Sequence, residues 1–199
     1  MMKELILASG SAVRASLLKN AGLSFEVDPA KVDERALEEP MLQGGASPSE
    51  IAQELARAKA LDVSAHRPGK LVIGADQVLD FEGQRLTKPE NLEAARRQLV
   101  AFSGKVHSLH SAVCVAHDGQ VVWETISTAE LSVRELSSAF LDEYIDRAGE
   151  KILSSVGAYQ LESLGVQLFD RIEGDYFTVL GLPLLPLLDF LRSEGAVLK

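Results

Sequence analysis

The chain has 199 residues, 46% of them hydrophobic and 25% charged, so it can bury a sizeable core and is not expected to be disordered. Its formal net charge is −9, and a surface of that sign repels nucleic acid and anionic lipid. We therefore expect neither a nucleic-acid polymer nor a membrane as a partner. A polyanionic ligand would need a local group of cations, backbone N–H groups or a metal.

The number of cysteines and the N-terminal segment bear on the cellular compartment of the protein. Cys114 is the only cysteine, which excludes an internal disulfide and fits a cytoplasmic protein. It lies in an apolar run, and we expect it to be a buried packing residue. The segment from Met1 to Ala8 holds too short an apolar stretch for a signal peptide or a membrane span. Residues 1–199 are predicted to form a single domain.

The first predicted elements are short and end in a polar stretch. A buried strand over residues 4–8 precedes a tight turn at Ser9-Gly10-Ser11 and a helix over residues 12–21. A second strand is predicted over residues 23–28. The acidic stretch from Lys31 to Gly45 is predicted to be a loop.

A well-marked helix start follows this stretch. Ser47-Pro48-Ser49-Glu50 places Ser at the cap, Pro in the first turn and Glu where it completes a capping box. Lys59 comes four residues after Leu55, which puts it on or beside the inward face of this helix. The apolar run Leu71-Val72-Ile73 then predicts a short strand that ends in Gly74-Ala75-Asp76.

The second half of the chain alternates hairpin signals with helical spacing. The predicted elements are a turn at Glu82-Gly83, a helix introduced by Lys88-Pro89 and ended by Gly104, strands over 106–117 and 120–133 around Asp118-Gly119, a helix over 137–148, a loop at 156–159, a hairpin turning at Glu173-Gly174-Asp175 and a final helix after Pro183. Interleaved helices and strands together with hairpins predict an α/β fold with a mixed β-sheet flanked by helices.

Four polar residues are candidates for phosphate binding. Ser9 and Arg14 belong to a strand–turn–helix segment whose small residues and helix start favour an anion, and the guanidinium offers a planar fork for phosphate oxygens. Lys59 and Lys88 add cations. The alternatives are a surface arginine at the first site and a lysine at position 59 that extends to solvent. The glycines of a dinucleotide fingerprint or a P-loop are missing, which argues against a dinucleotide oxidoreductase.

Four acidic residues are candidates for metal binding or catalysis. Asp76 follows a buried strand, where open α/β sheets place their ligands, although an aspartate that caps the next turn is the alternative. Asp33, Glu34 and Glu162 offer oxygen ligands that suit Mg²⁺ or Mn²⁺. Most acids of the Lys31 to Gly45 stretch, Glu38 among them, are expected to be solvated.

The histidines and the single tryptophan have no predicted chemical role. His66, His107, His110 and His117 show neither metal-ligand spacing nor a partnered nucleophile, so we expect them to be solvent-facing or strand-side residues. Trp123 is interpreted as a packing residue and not as a platform for a nucleobase.

Several short motifs occur in a distinctive order between about residues 4 and 192. They are Leu7-Ala8-Ser9-Gly10-Ser11, Val32-Asp33-Glu34, Ala58-Lys59-Ala60, Ile73-Gly74-Ala75-Asp76, Lys88-Pro89, Phe102-Ser103-Gly104, Gly157-Ala158-Tyr159 and Val179-Leu180-Gly181-Leu182-Pro183-Leu184. This order resembles the Maf family of nucleotide pyrophosphatases. The resemblance implies an elongated mixed sheet with a deep cleft between two lobes, often a homodimer, and hydrolysis of a nucleoside triphosphate to the monophosphate and pyrophosphate.

The resemblance also implies a role for individual positions. Asp76 matches the catalytic acidic residue of the family, a general base and metal ligand, and Glu34 matches a second acidic position near the metal. The implied cofactor is a divalent cation, Mg²⁺ or Mn²⁺. The positions that match phosphate-handling residues are Ser9, Arg14, Lys59 and Lys88.

Three positions that differ from the commonest family pattern bear on specificity. Val13 stands where many members have arginine, Gln77 where many have threonine, and Glu162 where many have glutamine. The last two, with a residue other than arginine at position 13, resemble the branch associated with 7-methyl-GTP, although that branch has an aromatic residue there. A carboxylate at position 162 can accept both N–H donors on one edge of guanine and favours a base made cationic by methylation.

A non-catalytic nucleotide-binding regulator of septum formation and cell division is the alternative function, since relatives have been linked to that process. The missing cation at Val13 favours this alternative. The presence of Asp76, Lys59 and Lys88 favours an enzyme, because a protein that only binds a nucleotide needs no buried base.

Overall fold

The structure, a computed structural model, describes residues 3–198. Met1, Met2 and Lys199 lie outside the described residues. The predicted N-terminal segment and the predicted domain each include some of these three residues, and those parts also lie outside the described residues. The strands are β1 Leu5–Leu7, β2 Phe25–Val27, β3 Leu71–Phe81, β4 Gln84–Leu86, β5 Val106–His117, β6 Gln120–Val133 and β7 Phe169–Glu173. The α-helices are α1 Ala12–Asn20, α2 Glu34–Gln43, α3 Pro48–Ser64, α4 Leu92–Phe102, α5 Ser138–Ala148, α6 Tyr176–Val179 and α7 Leu184–Ser193. Two 3₁₀-helices span Gly149–Ser154 and Leu164–Leu168.

All these strands join one mixed sheet in the order β2-β1-β3-β5-β6-β7, with β4 paired to β3. Strand β1 runs parallel to β2 and β3, and the other pairs are antiparallel. The predicted α/β fold with a mixed sheet is confirmed. Within residues 3–198, no helix is both long enough and apolar enough to cross a membrane.

The loop predicted from Lys31 to Gly45 is wrong, because most of it forms helix α2. The side chain of Asp33 caps this helix by accepting a hydrogen bond from the Ala36 amide at 3.1 Å. Leu37 and Met41, one turn apart, pack against the cluster of buried residues beneath α3. The sequence did not indicate this helix, because only these two apolar residues have helical spacing and acidic residues surround them.

The short strand predicted to end at Asp76 is also wrong, since β3 continues to Phe81. Strand β5 pairs with β3 from Leu71 through Asp80, and this long ladder carries the chain past Asp76 without a break. Asp76 therefore lies in the middle of a central strand and does not cap a turn.

The hairpin predicted at Glu173-Gly174-Asp175 does not form. Strand β7 ends at Glu173, and its antiparallel partner is the earlier strand β6. Asp175 instead caps the short helix α6 by accepting a hydrogen bond from the Thr178 amide at 3.0 Å. The same turn residues serve a helix start as readily as a hairpin.

One edge of β3 carries a gap that positions the functional site. Strand β1 pairs with residues 71–73 of β3, and β4 pairs with residues 79–81 on the same edge, because β5 covers the other edge. Among the strands of residues 3–198, therefore, none lies beside residues 74–78 on this edge. We call this stretch the edge gap, and Asp76 lies at its centre.

The hydrophobic core divides at the edge gap on one face of the sheet. Leu71 and Ile73 of β3 pack in a first lobe with α1 and α7, whereas Leu79 and Phe81 pack in a second lobe with α4 and α5. Alternation along the strand puts Gln77 on this same face, between the two apolar clusters. A polar residue at this position leaves an opening between the lobes.

Candidate functional site

A cavity of about 880 Å³ opens at the edge gap, and its volume is in the range of ligand sites. Nine site residues predicted from the sequence line this cavity: Ser9, Val13, Arg14, Glu34, Lys59, Asp76, Gln77, Lys88 and Glu162. Asp33, the other candidate oxygen ligand, is not among the lining residues and caps α2 instead. The nine lining residues, which span more than 150 positions of the chain, are therefore brought together. Their individual roles stay predictions.

Two carboxylates and one ammonium group form the centre of the cavity. Lys59 Nζ lies 2.6 Å from Asp76 Oδ1 and 2.7 Å from Glu34 Oε1, so the lysine bridges both acids. The side chains of Asp76 and Lys59 are only 12% and 11% exposed, whereas Glu34 is half exposed. Lys59 therefore does not extend to solvent but faces the site.

A close approach of α3 to β3 makes this contact possible. A Cβ added to Gly74 would lie only 2.5 Å from the Ala60 amide nitrogen and closer still to the Ala56 carbonyl oxygen. Glycine at this position lets the backbone of α3 pack against the strand. The helix itself is fixed at its start by the predicted capping box, in which Ser47 and Glu50 each bind the backbone of the other. Lys59 is consequently held directly over the edge gap.

Arg14 is buried and fastened to three separate segments. Its Nε donates to the Gly181 carbonyl at 2.7 Å, and its Nη1 donates to the Ala75 carbonyl at 2.8 Å and to Ser9 Oγ at 3.1 Å. The Ala75 carbonyl lies in the edge gap, so the Arg14 guanidinium donates the hydrogen bond that a neighbouring strand would otherwise donate. Burial lowers the pKa of Arg14, and the charges of Asp76 and Glu34 oppose that shift. The alternative of a surface arginine is therefore wrong.

Gln77 connects β3 to the chain around α6. Its Nε2 lies 3.0 Å from Ser111 Oγ and from the carbonyl oxygens of Thr178 and Val179. Two N–H donors thus serve three acceptors, which leaves the amide oxygen of Gln77 as the atom available to a ligand. The neighbouring residues 179–181 also line the cavity.

The wall from Ser154 to Glu162 is anchored by a buried hydrogen bond between Tyr159 and His107. Tyr159 Oη and His107 Nε2 are 2.7 Å apart, and the histidine ring stacks on Phe102 at 4.7 Å between ring centroids. His107 is 2% exposed, so it faces the core from its strand. Burial lowers its pKa to about 4, which keeps the ring neutral at physiological pH.

A buried ion pair near the site was not predicted. Glu38, expected to be solvated, has a side chain only 7% exposed, and its Oε1 lies 2.5 Å from Arg85 Nη2. Burial raises the pKa of Glu38, the nearby charge of Arg85 lowers it, and Asp76 and Glu34 add to the rise. Arg85 lines the cavity. The only sequence signal was the four-residue spacing of Glu34 and Glu38, which has meaning only on a helix.

Cys114 and Trp123 are packing residues, as predicted. Cys114 is buried beneath α3, and burial raises the pKa of its thiol to about 12. Trp123 stacks on Phe190 of α7 at 5.0 Å between ring centroids.

The acidic residues present fit a divalent cation only in combination with a ligand. Among residues 3–198, no group of three or more His, Cys, Asp or Glu side chains is arranged to hold a metal. Asp76 and Glu34, joined through Lys59, supply two carboxylates on one cavity wall. Mg²⁺ is commonly held by one or two carboxylates together with substrate phosphates, so this pair fits that mode of binding.

Fold and cavity together define an α/β protein whose two lobes enclose an acidic centre surrounded by cations, an arrangement suited to a phosphorylated ligand. Residues 4–194 match the family described as Maf-like protein. The chain belongs to this family, as the order of its motifs indicated.

Named relatives align with nearly the whole chain. A 7-methyl-GTP pyrophosphatase of Brucella suis is 52% identical over 197 residues and covers 99% of both chains. A nucleoside triphosphate pyrophosphatase of Caulobacter vibrioides is 54% identical over 191 residues and covers 96% of both. Among solved structures, a HAM1 protein from Coxiella burnetii aligns with 66% of this chain and 73% of its own at 17% identity and a TM-score of 0.40, a similarity too low to carry an inference.

Proposed function

We propose that this protein hydrolyses a nucleoside triphosphate to a nucleoside monophosphate and pyrophosphate. The observation that carries the proposal is the Asp76–Lys59–Glu34 cluster, with Asp76 and Lys59 largely buried, in a cavity that Arg14 and Lys88 also line. A protein of net charge −9 that gathers cations in one cavity is suited to an anionic ligand there. The names of the Brucella and Caulobacter relatives support the same reaction.

Asp76 is the general base of the proposed reaction. Its carboxylate orients a water molecule toward the α-phosphorus and accepts a proton from it as the new P–O bond forms. The bond between the α-phosphorus and the bridging oxygen breaks, and pyrophosphate leaves with the bonding electron pair. Lys59 holds the carboxylate in place at 2.6 Å and puts a positive charge beside the reacting phosphate.

The remaining cations bind the phosphate chain. Nε and Nη1 of Arg14 are engaged by the protein, so its Nη2 is the nitrogen available to a phosphate oxygen. Ser9 Oγ, next to that guanidinium, lies at the start of the turn before α1, where backbone N–H groups favour an anion. Lys88 is exposed and lines the cavity, so its ammonium group is accessible to an entering phosphate chain.

Asp76 and Glu34 would hold a divalent cation, Mg²⁺ or Mn²⁺, together with phosphate oxygens. When bound, the cation supplies positive charge that offsets the charge developing on the phosphates. Asp76, Glu34 and Lys59 carry a net charge of about −1 in this cluster, so a cation is also favoured electrostatically.

Val13, Gln77 and Glu162 contact the base in this proposal. Glu162 is an exposed carboxylate on the cavity wall, and its two oxygens suit the paired N–H donors of guanine. Methylation at N7 makes the base cationic, which a neighbouring carboxylate favours, so 7-methyl-GTP is the proposed preferred substrate. Glu162→Gln should reduce the preference for guanine bases over uracil. Equal preference before and after the change would remove Glu162 from this role.

Pyrophosphate release from a nucleotide panel tests the proposal. UTP, dTTP, GTP, 7-methyl-GTP and 5-methyl-UTP would each be supplied with Mg²⁺ or Mn²⁺, and products identified by chromatography. Reaction in ¹⁸O-labelled water should put the label in the monophosphate, because water attacks the α-phosphorus. Nucleotide binding without pyrophosphate release from any member would instead support the non-catalytic regulator of septum formation.

We also propose that the protein acts in the cytoplasm as a homodimer. A single buried cysteine suits a reducing compartment, and the family resemblance supports the dimer. Light scattering coupled to size-exclusion chromatography tests the assembly, for which a mass near twice 21.5 kDa is expected. A mass near 21.5 kDa at micromolar concentration would contradict it.

A further inference from the structure

Arg85 is a cation of the cavity that the proposed reaction has not used. It lies in β4, in register with Asp80 of β3, immediately beyond the edge gap. Its side chain is 22% exposed and lines the cavity, as do the following residues up to Lys88. An arginine partly withdrawn from water at a ligand cavity needs an anionic partner on the protein, the ligand or both.

Glu38 supplies the partner on the protein and leaves part of the guanidinium unused. Only Nη2 of Arg85 hydrogen-bonds to Glu38 Oε1, at 2.5 Å. Within residues 3–198, Arg85 Nε and Nη1 make no hydrogen bond to another side chain, and Nη2 has a second N–H. One edge of the planar fork, formed by this second N–H and one of the two unused nitrogens, is therefore available to another acceptor. Buried ion pairs contribute little net stability, because the cost of removing the charges from water offsets their attraction. Stability alone is therefore a weak reason for this pair.

The geometry of α2 locates Arg85 at the phosphate end of the cavity. Glu34 and Glu38 are four residues apart on this helix, so their side chains lie on one face about one turn from each other. Glu34 contacts Lys59, which contacts Asp76, and Glu38 contacts Arg85. The guanidinium is therefore about one helical turn from the Lys59–Asp76 centre, on the side of α2.

We propose that Arg85 binds the terminal phosphates of the substrate and that Glu38 positions its guanidinium for this contact. The role rests on the proposed function, and it assigns Arg85 to the part of the substrate that leaves as pyrophosphate. The buried carboxylate of Glu38 already restricts the arginine side chain, so the side chain loses little conformational entropy on binding a ligand. The free edge of the guanidinium matches two phosphate oxygens. A nucleoside monophosphate lacks these phosphates and makes no contact with Arg85. The site can thereby hold substrate more tightly than the monophosphate product.

Binding of two ligands to Arg85→Gln tests the proposal. Dissociation constants would be measured by calorimetry for α,β-methylene-GTP, which cannot be cleaved between the α- and β-phosphates, and for GMP. Arg85→Gln should weaken the triphosphate analogue about 10- to 100-fold, the range for a lost charge-assisted hydrogen bond, and leave GMP within about twofold. Arg85→Lys, which keeps the charge but not the fork, should recover only part of the loss.

Two further variants separate binding from folding. Arg85→Gln leaves the Glu38 carboxylate buried without a cation, so the double variant Glu38→Gln/Arg85→Gln removes both charges and should show the same selective loss. Arg57→Gln is the matched control, because Arg57 also pairs with a partly buried carboxylate, Glu124 at 2.8 Å, but does not line the cavity. It should bind both ligands as wild type does.

The outcomes distinguish this role from the proposed function itself. Equal weakening of both ligands, or no weakening of the triphosphate analogue, overturns the role of Arg85 even if the wild type releases pyrophosphate. Selective weakening of the analogue supports that role. A wild-type protein that releases no pyrophosphate from any nucleotide overturns the proposed function, whatever the binding of the two ligands shows.

Discussion

Replacing Gly74 by alanine tests how the packing of α3 on β3 controls the site. The added methyl group would lie 2.5 Å from the Ala60 amide nitrogen and closer to the Ala56 carbonyl oxygen. Both neighbours are helix backbone and cannot rotate away, so α3 must retreat by roughly 1 Å to restore ordinary contact. Overpacking of this kind costs about 1–3 kcal/mol, and we expect Gly74→Ala near the upper end because the obstacle is backbone.

The same displacement should reach the chemistry. Lys59 moves with α3, so its 2.6 Å contact with Asp76 on β3 lengthens toward the limit of a hydrogen bond. We expect a loss of about 3 kcal/mol in the free energy of unfolding by urea titration, and a lower kcat for pyrophosphate release by the folded protein.

Gly44→Ala is the matched control for this substitution. Gly44 has negative φ, and its added methyl would meet its nearest neighbours at 3.4 Å. Because alanine also restricts the unfolded chain, this change should be close to neutral or stabilise by up to about 1 kcal/mol. If Gly74→Ala were as stable and active as Gly44→Ala, the close packing of α3 would not be what holds Lys59 over the edge gap.

Three further changes have clear expected results. Because burial lowers the pKa of His107 to about 4, the unfolded chain binds a proton before the native one as pH falls below about 6.5. As the pH falls from about 6.5 to 4, the free energy of unfolding of the wild type should decrease by up to about 1.4 kcal/mol per pH unit more than that of His107→Gln, as measured by urea titration. Parallel pH profiles of the two proteins would contradict this. Ser47→Ala should cost about 1 kcal/mol by removing the cap of α3, and an unchanged urea midpoint would be inconsistent with that cap. Lys59→Met leaves Asp76 and Glu34 without their shared cation and should lower kcat about 100-fold or more, whereas Lys70→Met, which affects only a surface ion pair with Glu4, should keep wild-type kcat.

Elements that depend on local signals could be predicted from the sequence. The hairpin between β5 and β6 has the predicted ends because Asp118 and Gly119 both adopt positive φ, at 49° and 76°, as a tight hairpin turn requires. The start of α3 was equally clear, since its capping box lies within four consecutive residues. These signals act over a few residues and need no knowledge of the rest of the fold.

Features set by distant pairing could not be predicted in this way. The length of β3 depends on β5, whose paired residues lie more than 25 positions further along the chain. The edge gap exists only because β1 and β4 pair with different parts of the same strand edge. Asp76 was therefore identified as important, but its location was wrong: it lies beside an opening within the sheet and not at the end of a strand.

The candidate site was predictable as a set of residues but not as a network. Motif order identified Asp76, Lys59 and Glu34, yet nothing in the sequence indicated that the lysine bridges the two acids. The Glu38–Arg85 pair joins residues 47 positions apart and begins in a segment predicted to be a loop. A pair of this kind becomes visible only when both the helix and the strand are in place.

Turnover by Asp76→Asn shows most directly whether Asp76 is the general base of pyrophosphate release. The substitution keeps the size of the side chain and an oxygen that can accept from Lys59, but it removes the carboxylate that takes a proton from water. Pyrophosphate release would be measured with the best nucleotide of the panel, and the circular dichroism spectrum would be compared with that of the wild type. We expect a wild-type spectrum with kcat reduced about 100-fold or more. A folded Asp76→Asn protein that turns over at the wild-type rate would contradict it.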